Sequence, residues 1–250
     1  MSWWIKVIEF ADGVYVFSKY LPEAKISVNA FLILDEQPVI IEAGLANMGR
    51  EIIDEASRII DPSEIKRILI THEHPDHMGG LPEILPRAYN ARVIAHKFIG
   101  AHLAFIGVYG VVDLVEGGEK IRIGRREIEI VHAPIETHGY IFFILHPDKI
   151  VFSGDYFGQL SPTGWTTYYT SDIDSFVGEI IHFHEGLGYR RNEVKKHLSI
   201  LKKRNISVVA PSHGSIINRD TSTIISRVID HKLKPKEKGS LWARIFGRQK

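Results

Sequence analysis

The chain has 250 residues, 44% of them apolar, and 31 Lys/Arg against 30 Asp/Glu give a net charge of +1. That apolar share can bury a substantial core, which excludes general disorder. With no cysteine, disulfides, iron–sulfur clusters and thiolate metal sites are excluded too, so any metal must be held by the 13 His and the carboxylates. Charge is spread unevenly. Residues 232–250 hold seven Lys/Arg against Glu237, a net +6 that leaves −5 for the remainder. A basic nucleic-acid-binding body is therefore not expected. The first residues, Met1-Ser2-Trp3-Trp4-Ile5-Lys6, show neither a signal-peptide pattern nor a spanning segment. The default expectation is a cytoplasmic protein.

In chain order, residues 4–10 and 14–18 read as strands around the turn Ala11-Asp12-Gly13, and 28–34 and 38–42 as a second strand pair. Residues 48–60 place Ile52, Ile53, Ala56, Ile59 and Ile60 at helical spacing. A short apolar strand, 65–70, follows Pro62-Ser63 and runs into the His-rich segment 71–80. A helix is expected at 81–85, a strand at 92–95 and a helix at 97–105. Strand patterns then dominate at 120–123, 127–132, 139–145 and 149–152. A long helix or helix pair fills 174–204, 206–210 is a strand, and 221–233 a final helix. Two halves of strands followed by helices predict an α/β fold, an αββα sandwich of two face-to-face sheets with helices outside. The expected domain is 1–233, with 234–250 as a basic tail.

The chemistry concentrates in Thr71-His72-Glu73-His74-Pro75-Asp76-His77-Met78-Gly79-Gly80. Four donors lie within six residues there. On an extended segment alternate positions face one side, so His72, His74 and Asp76 are expected to converge while His77 faces a second ion. The glycine pair is expected to make a tight turn into the next helix. Three more donors lie where strands begin or end: His138 in Glu136-Thr137-His138-Gly139, Asp155 in Phe152-Ser153-Gly154-Asp155, and His213 in Pro211-Ser212-His213-Gly214. Neutral imidazole and carboxylate suit zinc, iron or manganese.

These motifs, in this order, resemble the metallo-β-lactamase superfamily over roughly residues 10–233. The resemblance implies one ion at His72, His74 and His138, a second at Asp76, His77 and His213, and Asp155 bridging them. Two reactions are compatible with such a site. A hydrolase would use two ions, usually zinc, to activate a water, with Asp76 as the catalytic residue orienting it or accepting a proton. A diiron protein would bind or reduce O2, NO or peroxide, or sense oxygen without turnover. The segments around His74, Asp155 and His213, and spacings of 66, 17 and 58 residues between His72, His138, Asp155 and His213, resemble flavodiiron proteins more closely. Iron is thus the first expectation for the two metal ions, with zinc the alternative and manganese a further fit.

Flavodiiron proteins have Glu where this chain has His74, and the His form is similar to oxygen-binding diiron proteins. That exchange is expected to leave the core one unit more positive. No flavin is expected in this chain, so a separate redox protein would supply electrons. Small oxidants or a small-molecule substrate are the expected partners, and a homo-oligomer is compatible with the pattern. Tyr156, Phe157 and Trp165 are expected either to wall the pocket or to pack in the core. Glu73 is expected to be solvated or supporting, and His182 and His184 structural. Leu241, Trp242, Ile245 and Phe246 share one face of a short amphipathic stretch that could contact an anionic membrane or a partner.

Overall fold

The computed structural model describes residues 5–160, 168 and 172–231. Trp165 and the tail from 234 onward lie outside the described residues. Seven strands form the first sheet in sequential order: β1 (Lys6–Ala11), β2 (Val14–Leu21), β3 (Ile26–Ile33), β4 (Val39–Ile41), β5 (Arg67–Leu69), β6 (Arg92–His96) and β7 (Val112–Val115). Pairing is antiparallel from β1 to β4 and parallel from β4 to β7. The second sheet contains β8 (Lys120–Arg122), β9 (Glu127–His132), β10 (Ile141–His146), β11 (Ile150–Phe152) and β12 (Val208–Ala210), in the order β12-β11-β10-β9-β8. Only β11 and β12 pair in parallel there.

Three apolar layers explain the architecture. Between the sheets lie Val16, Phe31, Ile41 and Leu69 from the first and Ile130, Ile141, Phe143 and Phe152 from the second. Outside the first sheet, α1 (Gly49–Ala56), α3 (Leu81–Ile84) and α4 (Gly100–Phe105) bury Ile52, Ile53, Leu81, Ile84 and Leu103. Beyond the second sheet, α5 (Ile173–Leu187), α6 (Arg191–Lys203) and α7 (Thr221–Asp230) bury Ile180, Leu198, Leu201, Ile224 and Val228. Strands covered on both faces read as continuous apolar runs, as β3 and β10 do. The expected αββα sandwich is the observed fold.

One strand was missed, and one open alternative is decided. The strand β7 went unforeseen, because Val-Asp-Leu-Val at a sheet edge is half exposed and has no period of its own; it forms by pairing with β6. The segment 174–204 is two helices, because Gly188 adopts a left-handed φ of 75° that caps α5.

The glycine pair has a different role from the one expected. Gly79 and Gly80 have ordinary right-handed helical backbone, with φ −61° and −81°. What requires glycine is proximity: a Cβ on Gly80 would lie 2.1 Å from the Ala43 carbonyl oxygen and 2.7 Å from Gly49 Cα. This contact lets the start of α1 cross the segment that carries the His-rich motif.

Tyr156 and Phe157 are fully buried in the core beneath α5, α6 and α7, so packing is their role. His184 is buried there as well, with Nε2 2.6 Å from the Tyr156 carbonyl, whereas His182 is exposed. Burial pushes the His184 imidazole down to about 4, so the fold carries it neutral.

Substituting Gly80→Ala forces backbone against backbone and should cost on the order of 1–3 kcal/mol, read as a lowered midpoint in thermal or urea unfolding. Because the unfolded chain binds a proton at His184 that the folded chain refuses, His184 favours folding fully above about pH 6.5. That contribution is lost as pH falls toward about 4, a penalty on the order of 3 kcal/mol. Stability measured across this range should fall less steeply for His184→Gln than for the unsubstituted chain.

Candidate metal centre

The C-terminal ends of β4, β5, β9, β11 and β12 meet at one edge of the sandwich, and each is followed by a residue of the site. Glu42 follows β4, the segment 71–77 follows β5, Glu136 follows β9, Asp155 follows β11 and His213 follows β12. Backbone bonds fasten the sheets together at this edge: Asn29 N donates to the Ser212 carbonyl at 2.8 Å, and Ile141 N to the Thr71 carbonyl at 2.9 Å. The Asn29 amide also donates to the carbonyls of Pro211 and Gly214, at 2.9 and 3.0 Å.

Two groups of metal-donor atoms result, each with its atoms within 4.8 Å of one another. His72, His74, Glu136 and Asp155 form the first; Asp76, His77 and His213 form the second. Asp155 links them. Its Oδ1 lies 3.1 Å from His77 Nε2 and 3.2 Å from His213 Nε2, while Oδ2 lies 3.8 Å from His72 Nε2. His72 and His77 are neighbours across the two groups, with ring centroids 3.9 Å apart.

The convergence of His72, His74 and Asp76 on one side is not observed. Pro75 starts a helical turn, α2 (Pro75–Met78), with His74 as its N-cap, so the extended geometry ends at His74. Asp76 therefore turns to the second group, where Oδ2 is 3.0 Å from His213 Nε2.

His138 requires a correction as well. It is exposed and belongs to neither group. The loop between β9 and β10 is pinned so that the His138 carbonyl accepts from His132 Nε2 at 2.8 Å, and its ring stands edge-on to Phe98 at 6.3 Å. Glu136 occupies the inward place, with Oε1 3.7 Å from His72 Nε2 and 3.9 Å from His74 Nδ1. The expectation of a more positive core consequently lapses, since Glu136 brings a carboxylate where a neutral imidazole was foreseen. Its signal was an acid two residues before the His, in a loop already singled out.

The partners behind the rings orient them. Thr71 Oγ1 donates to Glu42 Oε1, which leaves its oxygen to accept from His72 Nδ1 at 3.0 Å. Glu42 Oε1 also stands 3.2 Å from His77 Nδ1, and His213 Nδ1 donates to the Ser27 carbonyl at 2.9 Å. In each case Nδ1 faces an oxygen of the protein and Nε2 faces the site, the ring orientation a metal ligand needs. Glu42, buried and invisible to the motif reading, is thus central to the arrangement. The His72 ring also stacks on Tyr140, centroids 4.6 Å apart.

Titration behaviour shows how strongly these groups act on one another. Burial, then His77 and His74, holds His72 well below its ordinary value, and burial takes His74 down to about 4. Burial also pulls on His77 and His213, but carboxylates outweigh it. Asp155, Glu42 and Asp76 raise His77 well above its usual range, and Asp155 and Asp76 carry His213 up to about 10. Asp155 is opposed by burial but lowered by His213 and His77, while burial and Asp155 push Glu136 up.

The residues fit a pair of divalent ions. Buried Asp76 Oδ1, His77 Nε2, Glu136 Oε2 and Asp155 Oδ1 make no hydrogen bond, and buried polar atoms left in that state are costly unless a cation takes them. Imidazole nitrogens and carboxylate oxygens in this mixture suit first-row transition ions. Glu73 lies outside both groups, as do His96, His102, His132, His146, His182, His184, His197 and His231.

Donor residues on strand-end loops between two facing sheets define a metallo-β-lactamase-type fold with room for a dinuclear centre. Residues 26–214 match the family model described as ODP family beta lactamase, and the chain belongs to that family. It is 22% identical over 231 residues to a nitric oxide reductase of Moorella thermoacetica, covering 89% of this chain and 57% of the relative. It is 27% identical over 201 residues to the flavo-diiron protein FprA2 of Clostridium acetobutylicum, covering 78% and 50%. The chain therefore spans about half the length of these relatives. Among solved structures, rubredoxin oxygen:oxidoreductase of Desulfovibrio gigas superposes with a TM-score of 0.81 at 16% identity, over 90% of this chain and 61% of that one. None of the described helices is long and apolar enough to cross a membrane.

Metal content after loading and desalting separates the two candidate donors in the loop between β9 and β10. Glu136→Ala should retain less metal per chain than the unsubstituted protein, whereas His138→Ala should retain the same amount.

Proposed function

We propose that this chain is a non-heme diiron protein that binds or reduces a small oxidant, O2, NO or peroxide. His72, His74 and Glu136 would hold one iron, Asp76, His77 and His213 the other, and Asp155 would bridge. The observation that carries this reading is the pair of abutting donor groups sharing Asp155, each containing buried ligand atoms without hydrogen bonds. Support also comes from membership in the ODP family and from relatives named nitric oxide reductase and flavo-diiron protein. When bound, two ferrous ions would supply electrons and adjacent coordination positions for a small diatomic or peroxide.

The chain's own residues contribute orientation and exclusion of water. His72, His77 and His213 are buried, and their Nδ1 atoms face Thr71, Glu42 and the Ser27 carbonyl, which turns Nε2 toward the site. His74 is the most accessible of the donors, with 18% of its side chain exposed, so a small molecule and an electron donor would approach on that side. Reduction would draw electrons from a separate redox protein.

One observation favours a second reading. The spacing His72-x-His74-x-Asp76-His77 also suits a zinc hydrolase, in which Asp76 would orient the attacking water or take its proton. The two are separated by quantifying metal in protein purified without oxygen. The diiron reading predicts about two irons per chain and a visible absorption change on admitting air. Two zincs, together with turnover of a model ester or phosphodiester, would replace it with the hydrolase reading. Reversible recovery of the original spectrum on removing oxygen would mark a carrier or sensor rather than an oxidase.

A further inference from the structure

Glu136 is a donor held by a hydrogen bond from the helical layer outside the second sheet. Tyr189 Oη donates to Glu136 Oε1 at 3.0 Å, and Glu136 Oε2 remains buried with no hydrogen bond. Tyr189 is only 6% exposed. Its ring packs 5.6 Å from Tyr156 and 5.0 Å from His184, centroid to centroid. The backbone delivers it there by one device: Gly188 closes α5 in a left-handed conformation, and Tyr189 N then donates to the His184 carbonyl at 3.0 Å. The hydroxyl thus arrives at Glu136 on a rigid helix break. On the other side of the same loop, His138 is held outward through the His132 bond, and His132 is stacked on His96 at 4.3 Å.

From this geometry we infer that Tyr189 is a positioning residue that makes Glu136, and not His138, the donor to the ion at His72 and His74. This rests on the dinuclear reading above. A free Glu side chain samples several rotamers, and a buried hydroxyl bonded to Oε1, the oxygen nearest His72 and His74, confines the carboxylate to the site. Hydrogen-bond partners of metal ligands typically change affinity 10- to 100-fold when removed. The residue therefore acts on the metal through Glu136 alone.

The test uses the full-length, metal-depleted chain titrated with Zn2+ against a chromophoric chelator and with Co2+ followed by its visible absorption. Tyr189→Phe, which removes only the hydroxyl, should weaken one of two ions about tenfold and alter the Co2+ spectrum, with the circular dichroism unchanged. Tyr156→Phe is the control: its hydroxyl meets His197 Nδ1 at 2.5 Å, and its titration should match that of the unsubstituted chain. In Glu136→Ala the further change Tyr189→Phe should add nothing, because the hydroxyl then has no carboxylate to hold. Tyr189→Phe binding both ions as tightly as the unsubstituted chain would overturn the inference, as would full additivity with Glu136→Ala. An unsubstituted chain that takes up fewer than two ions would instead overturn the dinuclear reading.

Discussion

Three carboxylates and four imidazoles crowded into the same few ångströms form the constraint around which this molecule is built. Ionised groups out of water cost several kcal/mol each unless paired and hydrogen-bonded. Here Asp76, Asp155 and Glu136 are set against His72, His74, His77 and His213, almost all of them buried. The cost is offset from two directions. Opposite charge holds His77 and His213 up and Asp155 down, and a ring of supporting groups, Glu42, Thr71, the Ser27 carbonyl and Tyr189, fixes the orientation of each donor.

Those supporting groups come from the first sheet and from the helical layer beyond the second. Ser27 and Asn29 belong to β3, Glu42 follows β4, and Tyr189 lies between α5 and α6. Interdigitated apolar faces bring the two sheets into register, and the crossing of Asn29 with the loop carrying His213 ties the register to the site. Close packing of Gly80 on Gly49 and Ala43 does the same for the segment carrying His72, His74, Asp76 and His77. The chemical edge and the stability of the fold are in this way one problem with one solution.

On the dinuclear reading the donor set would be rearranged at constant charge. His74 stands where the resemblance to flavodiiron proteins would put a carboxylate, and Glu136 would return one from a different loop. Carboxylate count, rather than the identity of any single donor, is what keeps a pair of divalent cations balanced. The swap leaves the most accessible position to a neutral ring.

Much of this was legible before any coordinates. Apolar runs marked β3, β5, β10 and β11, helical spacing marked α1, and the cluster from His72 to His77 marked the site, since local periodicity and local density of donors are written along the chain. Reading His72, His74 and Asp76 as convergent failed because Pro75 begins a helical turn, a change of backbone that redirects every later side chain. The choice between Glu136 and His138, two residues apart on one loop, is not settled by the local sequence, which offers both. It is made by Tyr189 from one side and by His132 on His96 from the other. Glu42 likewise comes to lie behind His77 only when β4 and β5 pair in parallel. The sequence by itself determined the αββα class and the family, and it marked the cluster from His72 to His77 with Asp155 and His213 as candidates. Tertiary structure alone decided which donors share an ion and which groups hold them, because those distances are set by sheets and helices far apart in the chain.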